Sequence, residues 1–244
     1  MTPTEFRIGA ISPVDCFREG WELIKSDYWV LFAVTLVGMI IGGASMYILL
    51  GAMMCGIYYC YLLKIDGGKV NFESLFKGLN YLLPSLLVTI LIVVPMVLVF
   101  GVIYLPIIAA AAMGSNLKPD TFLTLMGGAL IVELVLAIVM VCLHTLLIFT
   151  FPLIIDRGLS ATDAVRTSAR AVLKNLGGVA GLMGVSLVLT FVGYLALCIG
   201  LYFVIPVILA GFTVAYRRIF PAINQPNVNI PPSPDAFRGA GNYN

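Results

Sequence analysis

The chain has 244 residues, of which 61% are hydrophobic and only 11% charged, with a formal net charge of +2. A soluble domain carries about 25% charged residues, so this composition, with a mean hydropathy of +1.05, excludes a water-covered globule and leaves the membrane class. A transmembrane β-barrel reads as alternating segments of about ten residues, whereas the apolar stretches here run over 29–63, 81–113, 121–155 and 176–216. The fold class expected is an all-α membrane protein.

Residues 1–28 hold five acids and no apolar leader core, so the first spanning segment is expected to serve as an uncleaved anchor. Within them Ser12 is placed as an N-cap, with Pro13 at the first helical position and Asp15 three after the cap. Val14, Phe17, Trp21, Ile24 and Tyr28 follow at helical spacing and predict one apolar stripe. The stretch 29–63 is too long for one crossing, which needs about 20 residues. It is therefore read as a hairpin of helices near 29–46 and 49–64, with Gly42, Gly43 and Gly51 marking the turn. Gly38 and Gly42 form a G-x-x-x-G pair suited to close helix packing.

Next comes GKVNFESLFKGLN, with Asn71 as cap and Phe72, Leu75, Phe76 and Leu79 on one face. Single long helices follow near 81–104 and 123–151. Pro95 and Pro106 interrupt the first, and Pro152 stands near the inner end of the second. GLSATDAVRTSARAVLKN then repeats the amphipathic pattern, with Ser160 as cap, Asp163 three later, and Val165, Ala169, Val172 and Leu173 inward. The stretch 176–216 holds a last hairpin, near 177–197 and 200–217, with Gly193, Gly200 and Pro206 marking its turn. Gly177 and Gly181 make a second G-x-x-x-G. Asp27, Asn80 and Asn175 are each placed to cap the spanning helix that follows.

This division puts Arg7, Arg18 and Lys25, then Lys64, Lys69 and Lys77, then Arg157, Arg166, Arg170 and Lys174, then Arg217, Arg218 and Arg238 on one side. Lys118 alone lies on the other. Cytoplasmic loops collect Lys and Arg, so the topology expected is six transmembrane helices with both termini inside. They are grouped as three units, each an amphipathic helix followed by a transmembrane hairpin. The domains are a cytoplasmic amphipathic helix over 1–28, a six-helix domain over 29–220, and a Pro- and Asn-rich tail over 221–244 that is too polar to fold alone.

Few residues carry chemistry. Glu133 and His144 are the acid and the histidine inside the spans. They are eleven apart on one helix, which places them on a shared face about 16 Å apart along the axis. They are candidates for an intramembrane polar site, and equally for structural hydrogen bonding within the bundle. Arg166, Arg170 and Lys174, with Arg157 upstream, form a basic stripe suited to anionic lipid head groups. The cysteines at 16, 55, 60, 142 and 198 are scattered and read as apolar packing residues, so no metal, cofactor or catalytic set is expected. Tyr47, Tyr58, Tyr59, Tyr61 and Tyr81 are read as an aromatic belt at the helix ends.

The sequence GKVNFESLFKGLNYLLPSLL, the stretch PLIIDRGLSATDAVRTSARAVLKN and the closing AGFTVAYRRIF resemble a broad group of bacterial polytopic membrane proteins. They are also similar to the membrane domain attached to some glycerophosphodiester phosphodiesterases. The resemblance covers most of residues 12–220 and implies the same plan of helices. It carries over no catalytic residue, since phosphodiesterase chemistry belongs to a separate soluble domain. The function expected is a non-enzymatic protein of the bacterial inner membrane that organises lipid or a membrane-protein partner. A transporter or channel using Glu133 and His144 is the rival, and no nucleic-acid partner is expected.

Overall fold

The computed structural model describes residues 4–112, 119–196 and 199–222. Lys118, Cys198 and the tail from 224 onward lie outside the described residues. Within them the chain is helical, with no strand. The α-helices are α1 (Pro13–Ile24), α2 (Tyr28–Ala44), α3 (Leu50–Ile65), α4 (Leu82–Ala112), α5 (Pro119–Leu146), α6 (Thr150–Arg157), α7 (Ala161–Lys174), α8 (Leu176–Leu195) and α9 (Ile199–Ile219). Five stretches are long and apolar enough to cross a membrane: Pro13–Ala44, Phe72–Gly101, Met126–Arg157, Leu176–Leu195 and Ile199–Ile219. The chain is thus a helical protein of multi-pass membrane character. α3 is shorter, at 16 residues or about 24 Å.

α3 is nevertheless the centre of the molecule. Met53, Cys55, Ile57, Tyr58, Cys60, Tyr61 and Leu62 on it are all buried, and it touches α2, α4, α6, α9 and the segment Phe72–Tyr81. In a chain this apolar, packing rather than the exclusion of water selects the interior, so close approach through small residues decides which helices meet. A Cβ on Gly38 would collide with Ile57 of α3, and one on Gly42 with Leu50. Both glycines of the first pair therefore serve the α2–α3 contact. A buried hydrogen bond between the Thr35 and Tyr61 hydroxyls, 3.0 Å long, ties the same two helices. Tyr58 and Tyr61 consequently belong to the core rather than to an aromatic belt, whereas Tyr47 is exposed.

The first turn falls between Gly43 and Gly51, as the glycines suggest. It occupies residues 45–49, where Met46 and Tyr47 adopt positive φ, a conformation that costs L-residues energy. The α8–α9 turn uses its glycines: a Cβ on Gly193 would lie 3.1 Å from Leu201 Cα.

The first amphipathic segment lies on a helix distant in sequence, and the other two lie on the helices that precede them. α1 packs on α9, Phe72–Tyr81 on α3, and α7 on α6. At the first contact a Cβ on Gly20 would stand 2.9 Å from Gly211 N. At the second, Gly78 abuts Ala52 and Gly56. At the third, Ser168 bonds directly to the backbone at the α5–α6 junction. Phe72–Tyr81 is a 3₁₀ helix, because Leu75 and Gly78, three apart, both face α3, and three residues per turn aligns them. Phe72, Phe76 and Leu79 then face outward, apart from Leu75. Likewise Phe17 and Ile24 of α1 are buried, while Val14 and Trp21 are exposed. On α7, Val172 is buried and Leu173 exposed.

The caps hold unevenly. The Ser160 hydroxyl accepts from Asp163 N–H at 3.2 Å and donates to the Asp163 carboxylate at 2.7 Å, which is the N-cap read from the sequence. Ser12 makes no cap bond but donates to Asp15. That bond, with the Arg18 guanidinium alongside, holds the Asp15 carboxyl below the usual range. Asp27 and Asn175 cap nothing with their side chains. Asp27 pairs with Lys64, and Asn175 accepts Gly9 N–H at 2.7 Å while donating to the carbonyls of Arg7 and Ala171. The N-terminal strap is held this way, and also by Arg7 N–H on the Ile219 carbonyl at 2.9 Å.

Two expected interruptions turn out differently. α4 runs unbroken through Pro95 and Pro106 for 31 residues, about 46 Å. The helix read over 123–151 instead ends at Leu146, and α6 begins at Thr150 with Pro152 in its first turn. Proline lacks the N–H that would continue the ladder, and its ring clashes with the preceding turn.

Candidate functional site

Two regions combine charge with an accessible surface. The first is the end of the bundle at which Asp66, Asp156 and Arg217 gather. Arg217 of α9 forms two parallel hydrogen bonds to Asp156 of α6, at 2.7 and 2.8 Å. The same guanidinium reaches Asp66, just past α3, at 2.9 and 2.5 Å. The Tyr216 hydroxyl adds a 2.7 Å bond to Asp156. Arg218 pairs with Glu19 of α1 at 2.6 Å. These contacts join the middle of α1 to the ends of α3, α6 and α9.

Arg157 belongs to this structural group. Its side chain is buried, stacks over the Phe220 ring at 5.1 Å, and donates to the Pro221 carbonyl at 2.9 Å. The structure thereby separates it from the other three basic residues with which the sequence groups it.

Arg166, Arg170 and Lys174 are exposed on α7, at i, i+4 and i+8. Among the described residues, none of the three makes an ion pair or a side-chain hydrogen bond. Beside them lies a groove of about 260 Å³ between α4 and α7, lined by Leu87, Val88, Leu91, Ala161, Thr162 and Val165. Val165 and Arg166 are adjacent in sequence. The groove therefore meets the cationic stripe at Arg166, its first residue, and Arg170 and Lys174 follow one and two turns farther along α7.

The second region is in the α4–α5 hairpin. Glu133 lines a groove of about 360 Å³ with Met96, Phe100, Ile103 and Tyr104 of α4 and Ala137 of its own helix. The α4 residues recur at i, i+4, i+7 and i+8, one helical face. Phe100 and Tyr104 stack there with ring centroids 4.2 Å apart. Glu133 makes no hydrogen bond or ion pair among the described residues. His144 is not part of this groove, and its Nδ1 is 2.8 Å from the Met140 carbonyl one turn back. Thr145 bonds the Val141 carbonyl in the same way. The two residues of the candidate polar site are therefore not brought into one pocket.

Gly177 meets open space, whereas Gly178 and Gly181 approach Ile11 and Pro13. Of the expected G-x-x-x-G pair, Gly181 thus stands at a close contact and Gly177 does not, Gly178 taking its place. Cys16, Cys55 and Cys60 are buried and unpaired, and Cys142 is exposed. Among the described residues no cluster of His, Cys, Asp or Glu has the arrangement of a metal site.

The residues that the sequence reading passes over are Asp66 and Asp156. A short signal was present: Ile65-Asp66-Gly67-Gly68 and Ile155-Asp156-Arg157-Gly158 share the pattern I-D-x-G. In both, a glycine adopts positive φ just after the helix, Gly67 at +83° and Gly158 at +63°, as a left-handed helix end requires. No known protein family matches the chain, and no characterised protein or solved structure does so either.

Proposed function

We propose that this chain is a non-enzymatic protein of the bacterial inner membrane that holds anionic phospholipid at its inner face, and so organises lipid or a membrane-protein partner there. In this reading six helices span, with α3 as the short sixth, and both termini are cytoplasmic. The three amphipathic segments are the inner-surface elements of three units, each clasped to the second spanning helix of another unit. The resemblance to the membrane domain of glycerophosphodiester phosphodiesterases fits the same plan.

The observation that carries the lipid reading is the exposed cationic stripe Arg166, Arg170 and Lys174, without an ion pair among the described residues, which begins beside an apolar groove. Lys64, Arg217 and Arg218 are neutralised by neighbouring acids, whereas these three make no ion pair among the described residues. Each cation near an anionic surface contributes about 1 kcal/mol. The groove offers an acyl chain an apolar wall next to Arg166.

The test is retention of lipid. The purified protein, in nanodiscs containing mixed phosphatidylcholine and phosphatidylglycerol, is transferred to mild detergent and weighed by native mass spectrometry. Phosphatidylglycerol is expected to remain bound preferentially. Replacing Arg166, Arg170 and Lys174 together by Gln should abolish that preference with the melting temperature unchanged. Equal retention of the two lipids by the unaltered protein would refute the reading.

A further inference from the structure

We propose that the groove at Glu133 is a binding site for a hydrophobic organic cation that reaches it from the lipid. Glu133 lies fourteen residues from the start of α5 and thirteen from its end, about 20 Å from either terminus. That places the carboxyl near the middle of the membrane if α5 spans it. An ionisable group at that depth is costly to maintain and usually pairs with another group. Here no partner exists among the described residues, and the carboxyl instead lines a groove of about 360 Å³.

That volume lies within the range of small-molecule sites, about 300–1,000 Å³. Phe100 and Tyr104 stand on the facing helix with their rings stacked, and both remain partly exposed to the groove's surroundings. A carboxylate and aromatic π-faces attract the same kind of charge, a cation. Met96 and Ile103 supply an apolar remainder that rejects a hydrated inorganic ion and suits bulky hydrocarbon substituents. The ligand class is therefore a singly charged organic cation with apolar or aromatic groups. A protein helix is a poorer occupant, because the acid is confined to one groove of small-molecule size and carries no second polar group along α5 at the same face and depth. The site shares no lining residue with the groove beside Arg166, so its fate is independent of the lipid reading.

The test uses the full chain in nanodiscs of phosphatidylcholine, with tetraphenylphosphonium as the probe and equilibrium dialysis as the readout. Saturable binding near one equivalent is expected, above the uptake of empty nanodiscs. Glu133→Gln, which retains size, should weaken it at least tenfold. Phe100→Leu with Tyr104→Leu should weaken it several-fold while leaving Glu133 in place. The neutral triphenylphosphine oxide should bind the unaltered protein and Glu133→Gln alike. Equal tetraphenylphosphonium binding by Glu133→Gln would overturn the proposal, as would uptake no greater than that of empty nanodiscs. So would a dimer in the nanodisc that excludes the probe and dissociates on Glu133→Gln, since a second copy would then occupy the groove.

Discussion

Arg217 holds Asp156 through two parallel hydrogen bonds, 2.7 and 2.8 Å long, across 61 residues of sequence. Both side chains are largely shielded, at 13% and 15% exposure. Removing one partner of such a pair leaves the other charge desolvated and unmatched, at about 3 kcal/mol. Asp156→Asn should therefore lower the melting temperature in detergent by several degrees. Asp66→Asn, at a more exposed carboxylate, should lower it less. Arg217→Lys should not restore stability, because an ammonium cannot serve two carboxylates in fork geometry. A thermal shift within one degree of the unaltered protein for Asp156→Asn would show that the pair holds nothing together.

That pair also marks where the sequence stops being informative. The helical class and the hydrophobic stretches follow from hydropathy, and the Ser160 N-cap follows from residue spacing. The core does not. With apolar residues at 61%, hydropathy draws no line between a side chain facing lipid and one facing protein. Tyr58 and Tyr61 read as belt residues for that reason, yet they sit at the centre. Interior and exterior are separated instead by where backbones approach, as at Gly20, Gly56 and Gly78, and by which acids find a common arginine. Those are relations between distant residues, and only the faint I-D-x-G repeat hinted at them. For Glu133 and His144 a shared helix face was legible, but whether the facing helix closes a groove over both was not.

The Ser168 hydroxyl stitches the break between α5 and α6. It donates to the Leu146 carbonyl at 2.7 Å and accepts Phe149 N–H at 3.2 Å, two backbone groups that the Pro152 break leaves without helical partners. Ser168→Ala strands both inside the protein, at roughly 1–3 kcal/mol. Thr150 is adjacent and equally buried, but its hydroxyl has no partner among the described residues. Thr150→Val should accordingly be neutral or slightly stabilising. Melting temperatures for the two variants, with hydrogen exchange at Phe149 for the first, check the contrast. Equal losses would refute the stitch.

On α1 the stripe divides into two roles. Phe17 is 7% exposed and packs on Gly211 and Phe212 of α9, so Phe17→Ala should cost about 3 kcal/mol. Trp21 is 43% exposed, with an edge contact to Tyr28, and Trp21→Ala should cost far less. Trp21→Asp should lower folded yield nonetheless, since it would place a charge on a surface expected at the inner membrane interface. An unchanged yield for Trp21→Asp would show that this face meets water.

The six-span topology stands or falls on α3, which at 16 residues spans about 24 Å against a hydrocarbon core of about 30 Å. Its brevity is tolerable because nearly all of Gly51–Leu62 faces protein rather than lipid, so its ends need not reach the interfaces on their own. If α3 crosses, the segment after it returns to the side of the N-terminus, and the basic residues stay on one face. In a cysteine-free background, a membrane-impermeant maleimide added outside should then label Lys118→Cys and miss Lys69→Cys and Thr162→Cys, both of which should react once the membrane is opened. External labelling of Lys69→Cys would mean that α3 does not return the chain. The amphipathic segment Phe72–Tyr81 would then lie on the outer face, with Lys64, Lys69 and Lys77 against the direction in which positive loops are retained.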